Sequence, residues 1–244
     1  MRSGNPLLRD NLFVRSGTSE QPMTLSGTIN KTALLLAMTL ITAVWMWQRF
    51  MQLQDTAPLM PWLMGGVIGG LVFALITCFA RRTAWITAPL YALCEGLFIG
   101  GISAIYELRY PGLVMQAVSL TFATLACMLV AYRTGLVRVT ERFRSGLVAA
   151  TGAIALLYLV NMVMGMFGHP LAFLNASTPL GIGVSLVITG VAAFNLVLDF
   201  DFIATGVARQ APRHMEWYAA FGVLATLIWL YIEMLRLLAK LRDR

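Results

Sequence analysis

The sequence predicts an all-α integral membrane protein, a bundle of about seven transmembrane helices. Of its 244 residues, 59% are hydrophobic and only 12% are charged, whereas about a quarter of the residues in a soluble domain are charged. The apolar residues form seven runs of about 20 residues, the length that an α-helix needs to cross a bilayer. These runs use nearly the whole chain, which predicts a polar tail over residues 1–23 and one transmembrane bundle over residues 24–244.

The first three runs each end where charge or polarity changes. The first, Thr32 to about Phe50, is expected to act as an uncleaved insertion signal, because the tail before it lacks the apolar segment of a signal peptide. The second covers Met60 to Ala80 and stops at two adjacent arginines, Arg81 and Arg82. The third covers Thr83 to Tyr106 and is apolar apart from one acid near its middle.

Basic or turn-forming loops separate the remaining four runs. The fourth covers Leu113 to Tyr132 and precedes a connection with four arginines, after which the fifth covers Gly146 to Phe167. The sixth follows a loop rich in Pro, Asn, Ser and Thr and extends from about Leu180 to Val207. The last extends from Trp217 to about Leu238.

The distribution of basic residues predicts how the helices are oriented. With the N-terminus in the cytoplasm, 12 of the 18 Lys and Arg residues lie on the inner side, as the positive-inside rule requires. An odd number of spans places the basic C-terminal tail outside, unless one run is re-entrant. The residues of that tail are Arg236, Lys240, Arg242 and Arg244. We expect a protein of the bacterial inner membrane with a cytoplasmic N-terminus.

Glycines in the second and third runs are spaced for close helix packing. The second run contains two interlocked GxxxG spacings and the third contains one; such glycines let helix backbones approach in lipid. They are Gly65, Gly66, Gly69, Gly70, Gly96 and Gly100. The pattern favours packing inside one bundle, with a homo-oligomer interface as the alternative.

Four acidic residues lie inside the apolar runs, where a charge costs about 2.5 kcal/mol or more at mid-bilayer. Glu95 lies near the middle of the third run, and Asp199 and Asp201 in the sixth project to different sides of a helix. Glu233 precedes Arg236 by three residues, so an intrahelical ion pair is the structural alternative for it. All four acids are candidates for a proton-sensing ion pathway.

Other classes of function lack their sequence signals. The net charge of +7 comes from residues between the apolar runs, which indicates membrane topology rather than nucleic-acid binding. Cys78, Cys94 and Cys127 lie in apolar runs without a CxxC spacing, and His169 and His214 lie in separate loops. The sequence contains no catalytic motif or cofactor-binding loop. It therefore predicts no enzyme and no cofactor.

Five short motifs are distributed along nearly the whole chain. They are Asn5-Pro6, Tyr110-Pro111-Gly112, Leu198-Asp199-Phe200-Asp201-Phe202-Ile203, Glu216-Trp217-Tyr218-Ala219-Ala220-Phe221 and Leu230-Tyr231-Ile232-Glu233. Together they resemble the Bax inhibitor motif family of membrane proteins, in a prokaryotic branch. The resemblance implies a seven-helix bundle in which the last helix is central.

The resemblance also implies a function, a pH-sensitive Ca²⁺ leak gated by two acids that share protons on the sixth and seventh helices. By position, Asp199 matches the first acid and Glu233 the second, and Arg81 or Arg82 matches an arginine that engages the closed pair. Carboxylates suit Ca²⁺ as hard ligands, and two close carboxylates share a proton. The alternative is a non-catalytic interaction protein that modulates a partner such as a membrane protease.

The second acid differs from the family pattern. It is Glu233 rather than an aspartate, and it follows Asp199 by 34 residues, which is longer than the usual interval. If the extra residues extend the helices, the two acids lie at different depths. The alternative partners of Asp199 are then the neighbours of Asp201, Glu95 or an arginine.

Overall fold

The computed structural model describes residues 21–53, 57–169 and 171–243. Seven helices in this part of the chain are long and apolar enough to cross a membrane, which confirms the predicted fold class. In chain order the helices are α1 (Leu25–Leu53), α2 (Met60–Phe79), α3 (Ala84–Arg109), α4 (Leu113–Arg133), α5 (Glu141–Met166), α6 (Ala172–Asn175), α7 (Pro179–Ala208) and α8 (Met215–Arg242). Short 3₁₀ turns, Ala57–Leu59 and Arg81–Thr83, precede α2 and α3. The single turn α6 is too short to span.

The fifth spanning run begins earlier than its hydropathy predicts. Helix α5 starts at Glu141, because the Thr140 hydroxyl caps it by accepting a hydrogen bond from the Phe143 N–H at 3.2 Å. Arg142 and Arg144, which the hydropathy pattern places in the basic loop, therefore belong to the first turn of the helix. A local cap has extended the helix beyond its apolar part.

The last helix, α8, is the most buried of the seven spans. Its most apolar 18-residue window is 61% buried, against 44% for α3 and α7 and 22% or less for the others. Such burial is expected of the central helix that the resemblance implies. Helix α8 also continues to Arg242 instead of ending near Leu238, so Arg236 and Lys240 are helix residues and not parts of a tail.

The chain divides into two compact units. Unit 1 comprises Met1–Ile105 with Asp199–Ala225, and unit 2 comprises Tyr106–Leu198 with Thr226–Arg244. Helices α3, α7 and α8 contribute residues to both units. The assignment of residues 24–244 to one bundle stays a prediction, and most of the polar tail lies outside the described residues.

Glycines on α2 and α3 allow close helix packing within unit 1. A Cβ atom at Gly66 would lie 2.7 Å from the carbonyl oxygen of Cys94 on α3, and one at Gly70 would lie 2.7 Å from Oε1 of Glu95. Gly96 on α3 lies closer still to the backbone of α1. Real Cβ contacts essentially never fall below 3.0 Å, so larger residues at Gly66 and Gly96, which face backbone atoms, would push these helices apart. Gly66, Gly70 and Gly96 thus pack inside the protein, as predicted, whereas Gly65 is exposed and a Cβ atom there would meet no described residue within 4 Å.

Candidate functional site

Asp199 is a half-buried residue of α7 that faces α8 within unit 1. The residue opposite it is Gly222, because a Cβ atom built there would lie 3.5 Å from Oδ1 of Asp199. The missing side chain leaves the carboxylate room beside the α8 backbone. A charge in a membrane-spanning helix is costly unless it is balanced, hydrated or protonated. The carboxylate of Asp199 thus lies where α7 packs against α8.

Arg81 and Tyr218 complete what we call the Asp199 cluster (Asp199, Arg81, Tyr218 and Gly222). Arg81 begins the 3₁₀ turn after α2, and its guanidinium carbon lies 5.3 Å from the centre of the Tyr218 ring. The Tyr218 hydroxyl interacts electrostatically with both Arg81 and Asp199. Arg82 is exposed. Of the two arginines that the sequence leaves open, Arg81 is the one that shares Tyr218 with Asp199.

Aromatic rings connect the Asp199 cluster with α3. Tyr218 packs near Phe202 and Phe221, at distances between ring centres of 6.0 and 6.5 Å. Phe221 in turn meets Tyr91 edge to face, with ring centres 4.8 Å apart. Tyr91 precedes Glu95 by one helical turn, and the two side chains interact electrostatically. The rings thus lie between the Asp199 cluster and Glu95.

Glu95 is half-buried against α2 in the same unit. Its carboxylate has room because Gly70 lacks a side chain, since a Cβ atom at that position would clash with Oε1 of Glu95. Asp201, two residues after Asp199 on α7, is also half-buried. Three of the four predicted acids, Glu95, Asp199 and Asp201, therefore belong to unit 1.

Glu233, the fourth predicted acid, is 1% exposed and lies in unit 2 among several donors. Its Oε1 atom accepts hydrogen bonds from the Tyr158 hydroxyl at 2.8 Å and from the Trp229 indole N–H at 3.2 Å. Arg236 donates to its two oxygens at 3.0 and 3.1 Å, and the Arg236 guanidinium carbon lies 4.8 Å from the centre of the Tyr158 ring. These four residues form the Glu233 cluster, which contains the ion pair that the spacing makes available.

Asp199 and Glu233 have separate surroundings. Asp199 lies beside Gly222 of α8. Asp199 belongs to unit 1, and the hydrogen-bond donors to Glu233 belong to unit 2. The direct pairing of the two acids stays a prediction, and Arg236 is the counter-charge seen beside Glu233.

The basic residues near the C-terminus have partners within unit 2. Arg236 pairs with Glu233, and Lys240 is 4% exposed and donates hydrogen bonds to three oxygens. Arg242 donates to the carbonyl oxygen of Pro111 at 2.8 Å. Arg244 lies outside the described residues. Arg236, Lys240 and Arg242 are thus engaged in an ion pair or in hydrogen bonds within unit 2.

Glu216 is a buried acid that the sequence-based search for site residues missed. It is 2% exposed, and one oxygen accepts hydrogen bonds from the Thr24 N–H at 2.8 Å and the Thr24 hydroxyl at 3.0 Å. The other oxygen forms an ion pair with Lys31. Thr24 in turn caps α1, because its hydroxyl accepts a hydrogen bond from the Gly27 N–H at 3.0 Å, and the helix begins at Leu25 and not at Thr32. The only sequence signal for Glu216 is its place in one of the family motifs.

The acids of the described residues do not form a preformed metal centre. No three His, Cys, Asp or Glu side chains in that part of the chain converge into a group that could hold a metal ion.

The comparison that identifies the family covers almost the whole chain. A family model described as Bax inhibitor 1 like matches residues 5–243. The chain belongs to the Bax inhibitor 1 like family. Searches among curated proteins and among solved structures gave no match.

Membership of the Bax inhibitor 1 like family confirms the relationship that the five motifs predict. The matched region includes both the Asp199 cluster and the Glu233 cluster. Together with the seven apolar helices, the match makes this Bax inhibitor 1 like chain an integral membrane protein in contact with the lipid bilayer. The motif residues Asp199, Tyr218 and Glu233 are also the residues around which its polar clusters are built.

Proposed function

We propose that this Bax inhibitor 1 like protein is a pH-sensitive cation leak in the bacterial inner membrane, with its N-terminus in the cytoplasm. It is not an enzyme in this proposal, because ions moving down their gradient need only the protonation and deprotonation of side chains. Ca²⁺ is the ion we propose first, since carboxylate and carbonyl oxygens are the hard ligands that suit it. The observation that carries the proposal is the Asp199 cluster of unit 1.

The chemistry of the cluster supports a gate that responds to the charge of Asp199. The Nε atom of Arg81 is buried and has no hydrogen-bond partner among the residues that the structure describes, and a buried unsatisfied donor costs about 1–3 kcal/mol. Arg81 therefore gains from moving to a new acceptor. Ionised Asp199 attracts the guanidinium, and protonated Asp199 does not. A change of pH thus changes the force on the end of α2.

Glu95 and Asp201 extend the proposed ion pathway. The edge-to-face pair of Tyr91 and Phe221 lies between Glu95 and the Asp199 cluster. Aromatic constrictions gate by excluding water, whereas acids on either side attract cations. We propose that the ion binds in succession at Glu95 on one side of this ring pair and at Asp199 and Asp201 on the other side.

Glu233 has a different role in this proposal. Its charge is balanced by Arg236, and its Oε1 atom also accepts hydrogen bonds from Tyr158 and Trp229. We propose that these contacts give Glu233 a structural role in unit 2, while Asp199 responds to pH.

The proposal is tested with purified protein in liposomes that contain a Ca²⁺-sensitive dye. We expect a Ca²⁺ flux that changes between about pH 6 and 8. Asp199→Asn should abolish that response, because asparagine resembles the protonated acid at every pH. Asp243→Asn is the matched control, since Asp243 is an exposed acid just after α8. The proposal would be refuted if the wild-type flux did not change with pH and was equal to the flux of Asp199→Asn.

One set of contacts favours the alternative function, an interaction protein that modulates a partner such as a membrane protease. The N–H of Met23 donates to the carbonyl oxygen of Ala211 at 2.7 Å, and Thr24 is bound to Glu216. These contacts hold the end of the polar tail beside the start of α8. Deletion of residues 2–20 should then abolish binding to a reconstituted protease and leave the Ca²⁺ flux unchanged. Full binding by the truncated protein would argue against this function.

A further inference from the structure

Lys240 is a buried lysine whose ammonium group is surrounded by neutral oxygens of unit 2. Its Nζ atom donates to the carbonyl oxygen of Leu174 at 2.6 Å, to that of Gly181 at 3.1 Å and to the Ser185 hydroxyl at 2.7 Å. An ammonium group has three N–H donors, so all of them are used. None of the three acceptors is a carboxylate, although buried ammonium groups are normally paired with one.

The position of Lys240 makes this arrangement more unusual. It lies two residues before the end of α8, where a lysine at a helix end ordinarily extends its ammonium towards water or lipid headgroups. The side chain instead turns inward and is 4% exposed. It joins α8 to the short helix α6 through Leu174 and to the first turns of α7 through Gly181 and Ser185. The three oxygens take the place of water around the buried ammonium.

We propose that the three oxygens of Leu174, Gly181 and Ser185 form a binding site for a monovalent cation, which the Lys240 ammonium occupies as a tethered ion. Backbone carbonyl oxygens are the ligands that K⁺ channels use to replace the hydration shell of K⁺. Free ammonium and K⁺ have nearly the same radius. A set of oxygens at 2.6–3.1 Å from a lysine nitrogen therefore suits either ion once the side chain is removed.

The charges near the site select a monovalent ion. Glu233 and Arg236, on the preceding turns of α8, both act electrostatically on Lys240. Because these two residues form an ion pair with each other, their effects on Lys240 oppose one another. The site then holds a single positive charge, and a divalent ion would add a second charge with no acid among its ligands. This monovalent site and the proposed Ca²⁺ leak are independent of each other.

The test is cation rescue of Lys240→Ala, measured as the apparent Tm of the purified protein. In tetramethylammonium chloride, whose cation is too large and lacks N–H donors, we expect the variant to lose about 5 °C or more. Ammonium or K⁺ at the same ionic strength should restore at least half of that loss. The wild-type Tm should be the same in all three salts, because the tethered ammonium already fills the site.

Two further variants separate a cation site from a simple structural contact. Lys240→Ala/Ser185→Ala lacks one of the oxygens, so its rescue should need about tenfold more K⁺ or ammonium, a loss of about 1.4 kcal/mol in binding. Lys31→Ala is the matched control, since Lys31 pairs with the carboxylate of Glu216 and its loss should gain nothing specific from K⁺.

Three results would overturn the proposal. One is an equal Tm of Lys240→Ala in all three salts, and another is a rescue that is unaffected by Ser185→Ala. The third is failure of Lys240→Ala to accumulate as folded protein even when ammonium or K⁺ is present throughout expression and purification, because these ions should then fill the site.

Discussion

The Asp199 cluster and the Glu233 cluster contain the same three kinds of residue, an acid, an arginine and a tyrosine, but assemble them differently. In the Glu233 cluster the acid and the arginine lie three residues apart on α8, so they move together. In the Asp199 cluster the acid comes from α7, the tyrosine from α8 and the arginine from the turn after α2. A cluster from three elements changes whenever one of them shifts. The Glu233 cluster therefore suits a structural role, and the Asp199 cluster suits a responsive one.

Removing the arginine of the Glu233 cluster should have the largest effect. Arg236→Met leaves a buried carboxylate without its counter-charge, which costs about 3–5 kcal/mol of unfolding free energy and should lower the apparent Tm by about 10 °C. Adding Glu233→Gln should recover most of that loss, because the uncompensated charge is then gone. Thermal unfolding in detergent measures both variants. An Arg236→Met protein as stable as the wild type would contradict a structural role for this cluster.

The arginine of the Asp199 cluster should affect function more than stability. A nearby cation favours the charged form of a carboxylate, so Arg81→Gln should move the midpoint of the pH-dependent flux to higher pH, by about one unit. Arg82→Gln is the matched control, because Arg82 is exposed and should leave the midpoint unchanged. Liposome flux as a function of pH measures both. Equal shifts in the two variants would mean that only the overall basic charge matters.

The smallest effect is expected for Gly222→Ala. The added methyl group would lie 3.5 Å from Oδ1 of Asp199, an ordinary van der Waals contact, and alanine favours helix over glycine by about 1 kcal/mol. The apparent Tm should therefore stay the same or rise by a few degrees, with the pH midpoint of the flux unchanged. Loss of the pH response in this variant would show that Asp199 needs more space beside α8 than the static contact indicates.

The seven spans could be predicted because hydropathy and helix length are properties of local sequence. The contacts at the helix ends could not always be predicted, since Thr24, which caps α1, is itself bound by Glu216, 192 residues later in the chain. The pair of Glu233 and Arg236 follows from helix periodicity alone. Tyr158 does not, because it reaches Glu233 only through tertiary packing.

The choice between Arg81 and Arg82 shows the same limit on a smaller scale. The two are adjacent and chemically identical, so only the direction of the 3₁₀ turn decides which guanidinium lies over Tyr218. The inward turn of Lys240 is a similar case. In a sequence, a lysine near the end of a span predicts an anchor at the membrane surface. The oxygen partners of Lys240 come from a region around α6 and the start of α7 that hydropathy does not resolve.

The contacts of Glu216 have a consequence for biosynthesis. Helix α1 is synthesised before α8, but the carboxylate that binds Thr24 and Lys31 belongs to the start of α8. The Thr24 hydroxyl can cap α1 at once, because its partner, the Gly27 N–H, lies in the same helix. Lys31 gains its counter-charge only after α8 has been synthesised, so formation of this buried ion pair reports that α8 has packed against α1.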